Sequence, residues 1–310
     1  MDNATPQGVC SRIVNGIKSN DYRTLASLCL TSKAFHRAAE PRLYHQLHLM
    51  DSLTAYRVCQ TIASCDRIAL HVKAFWTFFN ERRWSNSRNH LNPQFWDVVH
   101  LALRKMHNLQ LIAIGDPSCP SAWIFRQCQF QLLEAELRVD WDADLVRFLH
   151  TQSQLHTLRI TNPRLSSTEL DRLPLLELPQ GTLSSLRIFD GSLITALEFL
   201  SSPVTHLQLS LTQDGVEDAG HLLKQLAMFS RTLTSLNVTD LPYSISIGAF
   251  DLFSLIFPHL RHVGIIPLPF SDVSTTPGLC SIFSDHILDP PEAQIPSNPH
   301  KILKGARHRA

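Results

Sequence analysis

The chain has 310 residues, 44 % of them apolar and 18 % charged, which is enough apolar material for a large core and far from the composition of a disordered protein. A formal net charge of +1 gives no overall pull toward nucleic acid or anionic membrane, so any partner has to be recognised by a local patch. The opening Met1-Asp-Asn-Ala-Thr-Pro6 has neither the basic nor the apolar region of a secretory signal, and the most apolar stretch, 245–270, is broken by Asp251, Pro258, His259 and Arg261. The expectation is a soluble protein of the cytoplasm or nucleus, with no membrane or nucleic-acid partner. Seven scattered cysteines form no paired framework and no zinc knuckle, which points to reduced thiols.

Residues 9–49 show helical apolar spacing in Ile13/Ile17, Leu25/Leu28 and Phe35/Ala38, with Asn20-Asp21 as a cap between helices. The spacing predicts a short helical hairpin over 1–49, too small to stand alone and therefore packed on something else. Val72-Lys-Ala-Phe75-Trp-Thr-Phe78 reads as a first, degenerate strand, and the polar run near 80–95 as an exposed insertion.

From residue 109 onward one phrase returns, aliphatic-x-x-aliphatic-x-aliphatic. The clear copies are Leu109/Ile112/Ile114, Leu155/Leu158/Ile160, Leu183/Leu186/Ile188, Val204/Leu207/Leu209, Leu233/Leu236/Val238 and Leu260/Val263/Ile265, with a weaker one at Leu133/Leu137/Val139. Their period of roughly 20 to 29 residues is that of a leucine-rich repeat. Between copies lie helix signals: Ser166-Ser-Thr-Glu169, Ser192 before Leu193/Leu197/Leu200, and Asp214-Gly-Val-Glu217 before Leu222/Leu223/Leu226. The fold class expected is α/β: a leucine-rich-repeat solenoid, or horseshoe, of about seven repeats over 50–283, behind the helical hairpin. Residues 284–310, with Pro290-Pro291, Lys301, Lys304, Arg307 and Arg309, read as a flexible Pro-rich basic tail.

The string Asp21-Tyr-Arg-Thr-Leu25-Ala-Ser-Leu28-Cys-Leu30-Thr-Ser-Lys33-Ala-Phe35, followed by Pro41-Arg-Leu43-Tyr44, resembles the later half of an F-box as found in fungal F-box and leucine-rich-repeat proteins. That resemblance implies a substrate-recognition subunit of a cullin-RING ubiquitin ligase, an SCF complex, whose partners are a Skp-type adaptor, the cullin and a client protein. Carried over, Pro6, Ile13, Ile17, Leu25, Leu28, Leu30 and Phe35 build the helical segment and supply its adaptor-binding surface. One departure stands out: where the family opens with Leu-Pro and an acidic residue, this chain has Thr5-Pro6-Gln7-Gly8. The alternative is a leucine-rich-repeat scaffold with a decayed F-box and no ubiquitin link.

No phosphate loop, dinucleotide fingerprint, nucleophile elbow or His-Glu-x-x-His motif is present, so the expectation is a non-catalytic binding module with no cofactor and no metal. His45 and His48 lack a completing ligand, and Asp140-Trp-Asp142-Ala-Asp144 lacks the glycine and glutamate of a calcium loop, leaving a turn and helix cap. The residue between the last two aliphatics of each copy should point out of the open face of the sheet. That column is Ala113, Arg138, Arg159, Arg187, Gln208, Asn237 and Gly264. Three arginines on strands about 4.8 Å apart would form a cationic stripe suited to an anionic or phosphorylated client, with Arg138, Arg159, Arg187, Gln208 and Asn237 as the client-binding residues.

Overall fold

A chain that leaves a strand and returns parallel to it needs a crossover of about a dozen residues or more, and this chain makes that move after every strand but the last. The computed structural model describes residues 6–267 apart from 19, 79–93, 116–120, 162–177, 180, 212–225 and 242. Among the described residues, nine parallel strands form one sheet in chain order: β1 Gln46–Leu49, β2 Ala74–Thr77, β3 Leu111–Ile114, β4 Glu134–Leu137, β5 Thr157–Ile160, β6 Ile188–Ser192, β7 His206–Ser210, β8 Ser235–Leu241 and β9 His262–Pro267. The helices are α1 Pro6–Asn15, α2 Tyr22–Thr31, α3 Lys33–Leu43, α4 Ser52–Ser64, α5 Asp66–Ala69, α6 Phe95–Lys105, α7 Ala143–His150, α8 Leu193–Leu197 and α9 Tyr243–Ile256. The protein is α/β, and the N-terminal helices and the sheet belong to one compact unit, Met1–Pro269.

Register is set at the entry of each strand, where one carbonyl accepts two successive amides of the next strand. His45 O takes Lys73 N and Ala74 N, Lys73 O takes Gln110 N and Leu111 N, and the pattern continues through Gln110, Leu133, His156, Arg187, Thr205 and Thr234 to Arg261 N and His262 N. These bonds fall between 2.7 and 3.1 Å. With register fixed, alternate residues must face opposite sides. Leu47, Phe75, Ile112, Ala135, Leu158, Phe189, Leu207 and Leu236 are aligned and buried, as are Leu49, Ile114, Leu137, Ile160, Leu209 and Val238 two places on. A third buried row, Val72, Leu109, Leu132, Leu155, Leu186, Val204 and Leu233, lies three residues ahead of the first.

Two copies of the phrase are displaced from where sequence spacing puts them. Pairing of Arg159 with Asp190 makes the sixth strand read Leu186/Phe189/Gly191 in place of Leu183/Leu186/Ile188. The shift buries a whole phenyl ring and leaves Ile188 38 % exposed on the other face. Leu183 is used instead in the preceding turn, its carbonyl accepting from Leu186 N at 2.9 Å with φ at 57°. Likewise the fourth strand reads Leu132/Ala135/Leu137, not Leu133/Leu137/Val139. The degenerate strand at 72–78 is β2, and a further copy, Tyr44/Leu47/Leu49, forms β1.

Helix starts follow the expected chemistry where they can be described. Asp21 Oδ1 accepts from Thr24 N at 3.1 Å to cap α2, Asp142 accepts from Leu145 N at 2.8 Å to cap α7, and Ser192 Oγ accepts from Thr195 N at 3.1 Å to cap α8. The signals at 166–169 and 214–217, residues 80–93 of the 80–95 insertion and the tail at 284–310 lie outside the described residues, whereas Phe95, read as part of that exposed insertion, starts α6 and is buried. Fully buried Gln152 carries a task no periodicity announces. Its Oε1 accepts from Leu132 N at 2.9 Å and its Nε2 donates to Phe130 O at 3.2 Å, stitching one crossover to the next.

Two positions in the third buried place of a strand test this packing. Thr77 is fully buried and its hydroxyl has no hydrogen-bond partner among the described residues, so Thr77→Val, which keeps the shape, should raise unfolding free energy by about 1 kcal/mol in urea titrations. A Cβ on Gly191 would lie 2.8 Å from the Phe189 ring and 2.9 Å from Ile160 O, so Gly191→Ala should cost about 1–3 kcal/mol in the same titration.

Candidate functional site

Two surfaces carry the candidate residues: the face of the sheet turned away from the buried rows, and the outside of the N-terminal helices.

The register orders the open face as His48, Trp76, Ala113, Glu136, Arg159, Asp190, Gln208, Asn237 and Gly264, one from each strand. Of the five candidate client-binding residues, Arg159, Gln208 and Asn237 stand in this column. Arg138 and Arg187 do not, and the three-arginine stripe is absent. The displaced copies explain it: each hid a carboxylate from the column and brought an arginine in. Arg187 lies one place ahead of β6, where its backbone carbonyl serves the strand-entry ladder and its Nη1 donates to Ser184 O at 3.3 Å and Leu186 O at 3.1 Å. Arg138 follows β4, its backbone N bonded to Ile114 O at 2.8 Å.

Arg159 therefore sits between two acids on neighbouring strands, Nη1 to Glu136 Oε2 at 3.5 Å and Nε to Asp190 Oδ2 at 3.9 Å. All three side chains are a third or more exposed, so the pairs are loose and contribute little to stability. Burial pushes the Asp190 carboxyl above its ordinary range; Arg159 pulls it back and Glu136 pushes it further. At one end of the column the His48 and Trp76 rings stack at 4.1 Å with 6° between planes. His48 thus belongs to a strand and an aromatic pair. Trp76, Glu134 and Asp190 went unread as face residues, although Phe75-Trp76-Thr77 already carried the alternation that puts Trp76 beside Ala113.

The N-terminal segment is three helices, one more than a hairpin, around Val14, Leu25 and Ala39, with Ile17, Leu28, Phe35 and Leu43 partly buried against them. Arg42 ties the unit together, donating to Val14 O and, at 2.8 Å, to Ile17 O, where the last carbonyls of α1 and the turn after it need partners. Glu40, only 4 % exposed, pairs with His36 at 3.2 Å and with Arg67 of α5, which fastens the helices to the first crossover. Tyr22 Oη donates to Gln46 O of β1 at 3.4 Å.

The adaptor-binding candidates divide accordingly. Leu25 is fully buried and serves the core, whereas Ile13 is 48 % and Leu30 89 % exposed, with Val9 one turn before Ile13 at 45 %. α1 is thus apolar on two sides, Cys10 and Val14 inward, Val9 and Ile13 outward. Pro6 is the first residue of α1. Leu30 borders a shallow hollow of about 360 Å³ with Cys29, Ser32, Lys33, His36 and Arg37.

Elsewhere the described residues offer little reactive chemistry. Burial pushes the Cys59 and Cys128 thiols up to about 12, too high for a nucleophile at neutral pH. Cys10, Cys29 and Cys65 are likewise free of disulfides. No group of three or more His, Cys, Asp or Glu among the described residues could hold a metal ion. Asp144 takes Arg126 in a two-bond fork at 2.9 and 2.6 Å, and that hydrogen bonding holds its carboxyl below the ordinary range; with Asp142 it makes a cap and ion pair, not a calcium loop. No described helix is long and apolar enough to cross a membrane.

Arg159→Ala gives the face a pH signature. An aspartate whose folded pKa is raised destabilises the fold when ionised and relieves that cost as pH falls through the raised value. Without Arg159 the remaining influences, burial and Glu136, both push Asp190 up, so the variant should lose more stability at pH 7 than at pH 4. Denaturation at the two pH values measures this, and an equal loss at both would contradict it. No protein-family model matches the chain, and no curated protein matches it.

Proposed function

We propose that this chain is the substrate-recognition subunit of a cullin-RING ubiquitin ligase, built as a leucine-rich-repeat solenoid behind an F-box-like helical unit. It carries no active site. The helical unit would dock on a Skp-type adaptor and the open face of the repeats would hold a client protein, so its contribution to ubiquitin transfer is proximity. The observation that carries the reading is the outer surface of the N-terminal helices: Val9, Ile13 and Leu30 stay exposed although the unit has its own filled core. Val9 and Ile13 lie one turn apart on the same outer side of α1, an arrangement that supports a contact surface there. The nine strands in chain order, with their recurrent buried triplets, support the repeat reading.

Thr5-Pro6-Gln7-Gly8, in place of the family's Leu-Pro-acidic opening, favours a second reading, a repeat scaffold whose F-box no longer engages the adaptor. A pull-down of purified adaptor with the full chain separates them. The ligase reading expects capture, and Ile13→Asp with Leu30→Asp should weaken it by at least about tenfold while the thermal midpoint stays near that of the parent. Absence of capture by the folded full chain would remove ubiquitin from the account.

A further inference from the structure

The open face carries Glu136 and Asp190 in the column where the sequence put Arg138 and Arg187. The geometry points to a cation-binding cleft across β2 to β5 that takes the arginine or lysine side chain of an extended protein segment.

The cleft, of about 70 Å³, is walled by Trp76 on one side and by Glu134, Glu136 and Arg159 on the other, with Leu111 and Ala113 between. Strands lie about 4.8 Å apart, so Trp76 on β2 and Glu136 on β4 stand roughly 10 Å apart across the small side chain of Ala113. A long basic side chain suits such a site. Its methylenes can lie on the half-buried Leu111 while its charged head meets the indole face and a carboxylate. The indole is already held by its stack on His48, which lowers the ordering cost of using it.

The charge around the cleft is unbalanced in the same sense. Glu136 and Asp190 share the single Arg159 at 3.5 and 3.9 Å, and exposed Glu134 forms no ion pair among the described residues. Arg138, at the exit end of β4, is not part of the lining. An incoming guanidinium would pair first with Glu134 and could then draw Glu136 from its loose contact with Arg159. Within the lining, an anionic segment would have to approach two carboxylates, Glu134 and Glu136, for the one cation Arg159, which disfavours it. The cleft goes beyond the ligase reading and does not depend on it, because a scaffold without an adaptor would present the same residues.

The test uses the full chain, without adaptor, and two fluorescent peptides, one alternating arginine with serine and the other alternating glutamate with serine, read by anisotropy. The arginine peptide should bind, more weakly as salt rises, and the glutamate peptide should not. Glu134→Gln, a surface change that leaves folding alone, should weaken the arginine peptide about tenfold, and Trp76→Leu should weaken it by a similar factor in a chain whose thermal midpoint is checked. Failure of the arginine peptide to bind, equal binding of the glutamate peptide, or an affinity that Glu134→Gln changes by less than about twofold would each overturn the proposal.

Discussion

The doubly accepting carbonyl at each strand entry is the constraint on which the rest of the molecule depends. A backbone oxygen has two lone pairs, and here both are used on successive amides of the following strand, from His45 through Thr234. Because side chains alternate with a period of two, a slip of one residue at any step would turn a buried row outward and an exposed row inward. The composition of the open face, including which charges are neighbours, is a consequence of that register.

Much of the sheet was legible because five of the clear copies match the observed register, their aliphatics falling at Ile112, Leu158, Leu207, Leu236 and Val263. The failures have a common physical origin. A pattern that demands branched aliphatics in every place cannot recognise a strand that fills its layer with one phenyl ring beside a bare backbone, as Phe189 and Gly191 do, or one that uses Ala135 beneath larger neighbours. Spacing then slides to the nearest leucine. At β6 the slide was three residues, an odd number, which exchanged the two faces and put Arg187 where Asp190 belongs. The same sensitivity makes charge a poor guide to a sheet face until register is known.

The N-terminal helices show a different limit of sequence reading. Apolar periodicity marks Ile13, Ile17, Leu25 and Leu28 alike, yet Leu25 is fully buried and Ile13 is half exposed. On a short helix with apolar residues around most of its circumference, periodicity cannot say which stripe faces the core. Polar residues decide it: Arg42 reaches carbonyls at the end of α1 and Glu40 reaches Arg67, and those contacts orient the unit so that Val9 and Ile13 face out. Neither contact has a signature in spacing, since each joins residues more than twenty positions apart.

The ladder also has two unlike ends. β1 is closed on its outer side by helices, with Tyr22 bonded to the Gln46 carbonyl, whereas Val263 and Ile265 in β9 keep partial exposure in places that are buried in the other strands. Since each strand leans only on its neighbours, loss of structure can travel stepwise along the sheet without waiting for the whole to give way. Amide exchange among the nine strands should therefore be graded, fastest at β9 and slowest among the inner strands, so the sheet opens first at its C-terminal end.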